Sequence, residues 1–330
     1  FILIGQVKII LGDSNGAIKI LKKALEISDN KDEIYYQIGL AYQADKKFKK
    51  ASKYFKKAIE CNLNHENALY DLAYCLEITG ELENSIEYYK KFIDEDPYSE
   101  YAWFNLGNIY MKLDQFENAV EAFEYSIAID EEYSSAYINI SDALIKLEKF
   151  DQAKKYLDRS LSLDGPSPEI YSCLGNVNFY LEDYSTSISF YQKSIKIDQM
   201  FKESYFGLGR SLSKLDKWFE AIHFFKKAYK IDNKNIEYVK SLAYAEFKVG
   251  NLVSSIDLYS KAVEMQPDDY KLSLDFSLIY YESGDIDKAI DIIDQAIEES
   301  PGESLLYYRL VIYLRDAGRY KESINVIESD

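Results

Sequence analysis

Histidine is almost missing from this chain. Only His65 and His223 occur in 330 residues. Neither has a second histidine or a cysteine at metal-ligand spacing, which removes the usual zinc arrangements and leaves little for general acid–base chemistry. Cysteine is nearly as scarce. Cys61, Cys75 and Cys173 form no Cys-x-x-Cys pair, and so sparse and odd a set argues against a disulfide scaffold and fits a reducing, cytoplasmic compartment. No apolar run approaches the roughly 18–20 residues a membrane helix needs, so no membrane insertion is expected. The opening stretch FILIGQVKIILG contains Lys8 and lacks a small-residue cleavage site, which makes it a poor signal peptide. There is no initiator methionine, so the N-terminus reads as truncated, with room for an upstream signal or flanking domains.

An excess of basic residues is also lacking. Lys and Arg number 39 against 56 Asp and Glu, a net charge of −17. The imbalance is uneven: +5 over residues 1–65, −14 over 66–133, +1 over 134–265 and −9 over 266–330. Such a surface disfavours nucleic acid and anionic membranes. The acidic block could draw a basic partner, but the simpler reading is acidic turns that keep a long array soluble. Glycine-rich phosphate loops are absent, because the glycines fall at periodic positions. Asp and Glu cluster at expected turns and helix ends, as solvated and capping groups do. The Ser-x-x-Glu starts likewise read as helix caps. No catalytic residue, metal or cofactor is expected.

What the chain does have is a period of 34. Stepping by 34 from Gly107 gives Gly5, Gly39, Ala73, Gly107, Ser141, Gly175, Gly209, Ala243, Ser277 and Val311. Nine of these ten are small. Twelve residues later runs a column of Ala or Ser alone, from Ala17 through Ala119 to Ser323, and four further on runs a bulky one: Leu21, Phe55, Tyr89, Phe123, Leu157, Tyr191, Phe225, Tyr259, Ile293 and Ile327. No insertion or deletion interrupts the register. A sustained period of this length is the mark of a stacked repeat architecture.

Two recurring breaks divide each repeat. All five prolines, Pro97, Pro166, Pro168, Pro267 and Pro301, fall in one window. Proline is tolerated in loops and first turns, so this window joins successive repeats. The second break falls at Gly12, Gly80, Gly250, Gly284 and Gly318, with Lys46, Asp114, Glu148, Glu182 and Asp216 in the other repeats. Between the breaks, apolar residues recur at helical spacing. Each repeat is therefore two helices, A and B. In the repeat around Gly107, A is expected over about 101–113 and B over about 117–129. Glycine costs about 1 kcal/mol inside a helix. Its place in WFNLGNIY is explained if Gly107 on helix A and Ala119 on helix B let two backbones approach closely, with Trp103, Leu106, Tyr110, Phe116 and Phe123 filling the flanks. Phe92 interrupts a small-residue column and Asn178 a Tyr or Leu column, and both are expected to disturb packing locally.

The sequence W-x2-L-G-x2-Y, followed by the Ala and bulky columns at period 34, resembles the tetratricopeptide repeat (TPR) family. The resemblance covers essentially the whole chain: full repeats at 32–65, 66–99, 100–133, 134–167, 168–201, 202–235, 236–269 and 270–303, with partial repeats at 1–31 and 304–330. It implies a single all-α solenoid over 1–330, a right-handed superhelix of antiparallel helix pairs with helices A on its concave wall.

On that fold, A-helix residues outside the buried stripe face a groove. Candidate aromatic anchors are Tyr36, Tyr70, Tyr74, Phe104, Phe179, Phe206 and Tyr244, with core packing as the alternative role. Asn105 and Asn139 stand two places before the small column, where peptide-binding members of the family line the wall with asparagine. Asn108, Asn176 and Arg210 follow the small column directly. A carboxamide offers both donor and acceptor to a peptide backbone. Lys112, Lys146, Lys214 and Lys248 share one further column, interrupted by Tyr180, and either attract an acidic ligand or simply solvate the helices. The family's terminal-carboxylate clamp is only half present. Asn108 and Asn139 match its asparagines, but Phe104, Glu169 and Cys173 stand where cations are needed.

The expected function is a non-enzymatic scaffold or adaptor that binds a protein or extended peptide in the concave groove. The alternatives are the substrate-recruiting arm of a larger enzyme, such as a glycosyltransferase, and a structural solenoid that self-associates end to end through residues 1–12.

Overall fold

The structure, a computed structural model, describes residues 1–329. Twenty helices and no strand occur among the described residues. The chain divides between Gly165 and Pro166 into two compact units. The first holds α1 (Ile2–Ile10), α2 (Ser14–Ala24), α3 (Lys31–Ala44), α4 (Phe48–Cys61), α5 (Glu66–Thr79), α6 (Leu82–Glu95), α7 (Glu100–Lys112), α8 (Phe116–Ile129), α9 (Ser134–Lys146) and α10 (Phe150–Asp164). The second holds α11 (Pro168–Tyr180), α12 (Tyr184–Ile197), α13 (Lys202–Lys214), α14 (Trp218–Ile231), α15 (Ile236–Lys248), α16 (Leu252–Met265), α17 (Tyr270–Glu282), α18 (Ile286–Glu299), α19 (Ser304–Asp316) and α20 (Tyr320–Ser329). Odd-numbered helices are A and even-numbered ones B. In each unit every A packs on its own B, and each B on the A that follows it, the α-solenoid arrangement.

The mid-repeat break has one geometry throughout. Lys46, Asp114, Glu148, Glu182 and Asp216 all adopt left-handed backbone with φ between 54 and 60°, and the glycines that share their column are left-handed too, with φ between 76 and 88°. The conformation closes helix A. In the first unit, for example, the Lys47 amide reaches back to the Tyr42 carbonyl and the Lys149 amide to that of Leu144, satisfying orphan carbonyls in the Schellman manner. At helix starts, Asp13, Ser99, Ser167 and Asp183 accept from the amides of Gly16, Ala102, Ile170 and Thr186.

The small and bulky columns meet as required. Phe55, Tyr89, Phe123, Tyr191, Phe225 and Tyr259 are fully buried, each stabilising the fold by about 1.5–3 kcal/mol through apolar burial. A Cβ built on Gly107 would lie 2.6 Å from Phe123 Cε1, and one on Gly39 2.4 Å from Phe55 Cε1. The close approach also explains why Ala and Ser interchange on helix B. Ser85, Ser187 and Ser255 donate to the carbonyls of Ala73, Gly175 and Ala243 across the hairpin, at 2.7, 2.8 and 2.9 Å. A buried hydroxyl is tolerated there because its hydrogen bond is made.

The two irregular positions behave differently. Asn178 is buried and donates to the Leu174 carbonyl one turn back, at 2.7 Å. Phe92, where neighbouring repeats carry Ala58 and Ser126, packs edge-on against Tyr70. Beside it, a cavity of about 410 Å³ opens between α6, α7 and α8, over Ile93, Trp103, Leu106 and Tyr110.

Candidate functional site

In the first unit, polar side chains on successive A helices reach for one another. Tyr36 on α3 donates to Asp71 Oδ2 on α5 at 2.9 Å, and Gln43 donates to Asp71 Oδ1 at 3.3 Å. Asn105 on α7 donates to the Tyr70 hydroxyl on α5 at 2.9 Å. Asn139 on α9 donates to Asn108 Oδ1 on α7 at 2.7 Å. Lys112 holds Glu77 at 2.6 Å. Asn105 and Asn139 thus each spend one amide hydrogen on the protein itself, and Asn108 spends one lone pair of its Oδ1. A primary amide has two N–H groups and two lone pairs, so each retains capacity for a ligand. Burial pushes the Asp71 carboxyl above the usual carboxylate range, against the hydrogen bonds from Tyr36 and Gln43. Burial likewise raises the hydroxyls of Tyr36 and Tyr70.

The aromatic candidates of this unit lean on rings rather than standing free. Tyr36 lies 5.7 Å from Phe55 and 4.9 Å from His65. Tyr70 meets Tyr89 edge-on, Tyr74 meets Phe48, and Phe104 lies between Phe123 and Tyr133. They are half-buried, so each offers an edge or a hydroxyl and not a whole ring. Lys146 is exposed.

The second unit brings its candidates around open space. A cavity of about 580 Å³ lies over α13, α15 and α17, lined by Arg210, Lys214, Trp218, Lys240, Tyr244 and Asp275 among others. An adjoining cavity of about 330 Å³ is lined by Phe179, Tyr180, Glu182, Tyr184, Arg210, Ser213 and Lys214. Tyr244 is 42% exposed, with Trp218 edge-on at 5.6 Å. Lys248 sits 5.8 Å from the Trp218 ring and 5.7 Å from that of Tyr244. Phe206 packs between Phe225 and Tyr238. Phe179 is buried, which corrects its placement among exposed anchors: its ring is a floor for Arg210, whose Cζ lies 4.2 Å from the ring centre. Asn176 accepts from the Tyr191 hydroxyl at 2.7 Å. Burial raises the Asp275 carboxyl, with Lys240 and Arg309 opposing.

The sequence reading missed Asp71, Gln43 and Asp275 as wall residues. Asp71 and Asp275 share the column of Asn105 and Asn139, and that shared register was the signal that could have found them. His65 caps α5, accepting from the Ala68 amide at 3.3 Å, and His223 lies against Phe224. Among the described residues no group of three or more His, Cys, Asp or Glu could hold a metal ion, and no helix is long and apolar enough to cross a membrane. Cys61 is exposed, whereas Cys75 is buried and its thiol is pushed up to about 12 by burial and by Asp71.

Stacked helical hairpins at a period of 34, with small–bulky columns at each A–B contact, define a helical-repeat scaffold. Family models described as tetratricopeptide repeat or TPR repeat match residues 5–46, 36–100, 100–133, 134–166, 202–235 and 246–312, and the chain belongs to the tetratricopeptide repeat family. No curated protein matches it in sequence. Among solved structures, the Cut9 complex "APC/C hetero-tetramer Cut9-Hcn1" is similar at a TM-score of 0.62 and 17% identity, over 92% of this chain and 59% of that one. Yeast Tom70 is similar at a TM-score of 0.61 and 18% identity, over 89% of this chain and 65% of that one. The chain thus spans less than two thirds of either. At these identities the likeness is one of fold, that of repeats generally used for protein interaction.

Proposed function

We propose that this protein is a non-catalytic scaffold that holds a partner protein, through an extended peptide segment, along its A-helix walls. The observation that carries the reading is the pair of adjoining cavities over α11, α13, α15 and α17, where exposed Tyr244 stands beside Arg210 and Lys214. Binding surfaces of this type combine a few aromatic anchors with polar groups that fix orientation. In the first unit the asparagine wall of Asn105, Asn108 and Asn139 would read peptide backbone with its remaining amide groups. A photocrosslinking amino acid placed at Tyr244, Lys214 or Asn139 should capture the same partner from cell extract, and one at Lys193 on the outer helix α12 should not. Equal capture at all four places would refute the groove assignment. A cytoplasmic setting belongs to this reading and rests on how few the cysteines are and on the lack of any Cys-x-x-Cys pair among them.

A second mode of association rests on α1. Ile4 and Val7 are each 53% exposed there, whereas their counterparts one repeat on, Ile38 and Ala41, are fully buried. We propose that this apolar face takes the B helix of a neighbouring hairpin, supplied in self-association by a second copy. Light scattering should then show mass rising with concentration, and Ile4→Glu should abolish the rise. A monomer at high concentration overturns it.

A further inference from the structure

The surplus of negative charge does not extend over the whole chain. Residues 1–65 carry twelve lysines, no arginine and seven carboxylates. Six of these lysines recur in register. Lys19 and Lys53, Lys22 and Lys56, and Lys23 and Lys57 stand one repeat apart, the first of each pair on α2 and the second on α4. At 3.6 residues per turn, the three on each helix fall within an arc of about 100°. Ala51, Phe55 and Ala58 take the opposite side of α4 and are fully buried. Lys56 is half-buried and the other five lysines are exposed. The two helices are held together from beneath, where Tyr54 of α4 packs against the cluster that Ile18 and Leu21 of α2 share with Ile34 and Ile38 of α3. Among the described residues, the lysine ion pairs before residue 66 are Lys8 with Asp13 and Lys47 with Asp45. The six ammonium groups therefore form a two-helix cationic face with no carboxylate paired to it.

At the start of α4 more lysines surround open space. A cavity of about 320 Å³ is lined by Lys46, Lys47, Lys49 and Lys50 together with Phe48, Ile78 and Thr79. Ile78 is 48% exposed there. An apolar side chain ringed by ammonium groups suits an amphiphile, whose phosphate meets lysine while its first methylenes meet isoleucine. A purely anionic polymer offers nothing to the apolar part. The lack of arginine points the same way. Guanidinium forks read single phosphates and base edges, whereas ammonium point charges suit the diffuse potential of a charged headgroup layer, which clusters of four to eight basic residues on an amphipathic helix are known to sense.

We propose that the α2–α4 face adsorbs to the anionic headgroups of a phospholipid bilayer, with no helix inserted across it. The carboxylates further along the first unit do not prevent this. Glu117, Glu121 and Glu124 make α8 wholly acidic. Successive B helices lie side by side, as the hydrogen bond from Tyr156 on α10 to Glu124 on α8 shows at 3.0 Å. Helix packing distances of about 8–10 Å place α8, two B helices beyond α4, roughly 16–20 Å away. The Debye length at physiological ionic strength is about 8 Å, so repulsion from α8 is largely screened while the lysines at the surface act at full strength. The proposal goes beyond the groove reading and uses none of its residues.

The test is flotation of the full chain with vesicles of phosphatidylcholine alone and of phosphatidylcholine containing about a third phosphatidylserine. Only the anionic vesicles should carry the protein, and raising salt from about 0.1 M to about 0.5 M should weaken binding by roughly tenfold or more. The triple variant Lys53→Gln, Lys56→Gln, Lys57→Gln should weaken it by about tenfold or more. Removing three cations from α10 by Lys154→Gln, Lys155→Gln, Arg159→Gln changes the net charge equally and should leave binding within about twofold, because those groups lie beyond the screening length. Ile78→Ser should weaken binding to anionic vesicles without altering its salt dependence. Circular dichroism shows that each variant stays folded. Random-sequence single-stranded RNA and polyglutamate serve as the competing anions. Equal binding to both vesicle types, no binding to either, or binding that survives the α4 substitutions overturns the proposal. So does retention of RNA or polyglutamate, but not of vesicles, through the same lysines. None of these results bears on partner capture at Tyr244, Lys214 or Asn139, so the groove reading stands or falls separately.

Discussion

Gly107 and Phe123 are in such close contact that a single added methyl would overlap the ring, 2.6 Å from Cε1. Phe123 is fully buried and cannot swing aside. Gly107→Ala should therefore cost about 1–3 kcal/mol through overpacking. The register also supplies a remedy, since Ser141 faces Leu157 one repeat later. Adding Phe123→Leu to Gly107→Ala should recover part of the loss, giving a coupling of about 0.5 kcal/mol or more. Repeat arrays can unfold piecewise, so the measure is hydrogen exchange of α7 and α8. Simple additivity would show that the two sites do not share one packing constraint.

Glycine should stabilise where it normally weakens. Glu148 adopts φ 58° at the end of α9, a conformation that costs a non-glycine residue about 1 kcal/mol or more. Glu148→Gly relieves that strain, partly offset by the greater freedom of the unfolded chain. The expected net gain is about 0.5 kcal/mol, seen as slower exchange in α9 and α10. A loss of protection would mean that the turn is held by the glutamate side chain.

The partly buried carboxylate of Asp71 sits in a column that carries asparagine in the next two repeats. Its pKa is raised in the fold by burial, so the ionised form opposes folding at neutral pH, and this opposition fades as pH falls through the folded value toward 3.8. Asp71→Asn should stabilise the first unit at pH 7 by up to about 1 kcal/mol, the scale of one net polar contact. The difference from wild type should shrink toward pH 4 in urea titrations. Destabilisation at pH 7 would show that the hydrogen bonds from Tyr36 and Gln43 outweigh burial.

Glu246 presents the opposite sign. It is 1% exposed, with Lys226 at 2.6 Å and Asn251 donating at 2.7 Å. Burial pushes its carboxyl up, but these partners prevail and hold it below the ordinary 4.5. Its stabilisation is thus present above that value and is lost as pH falls through the folded one. Lys226→Met strands the carboxylate. Because Lys226 is 56% exposed, the expected cost is roughly 1–2 kcal/mol, below the 3–5 typical of fully buried pairs. Burial is then unopposed by the ammonium, so acid unfolding followed by circular dichroism should begin at higher pH. An unchanged acid limb would remove the pair from the account.

Much of the fold could be read before any coordinates. The hairpins around Gly107 and Phe123, the turn at Glu148 and the caps at Ser99 and Ser167 follow from residue type at fixed spacing. Each depends on contacts within one repeat, where periodicity determines geometry. The wall was legible only as columns. That Tyr74 and Tyr244 lie on A helices follows from register, but that the first is half-buried against Phe48 and the second exposed does not. Phe179 shows the limit most clearly, because its column suggested an anchor and its packing made it a support.

The amino-acid order by itself fixed the period, the helix pairs, the left-handed turns and the fit of small residues to large ones, because steric demands between neighbours in a hairpin are local and repeat without interruption. Only the tertiary structure decided which polar groups satisfy each other and which remain for a ligand. Tyr36 with Asp71, Asn105 with Tyr70 and Arg210 on Phe179 join residues 31 to 35 positions apart on separate A helices. Those pairings depend on how successive hairpins stack and which rotamers that stacking admits.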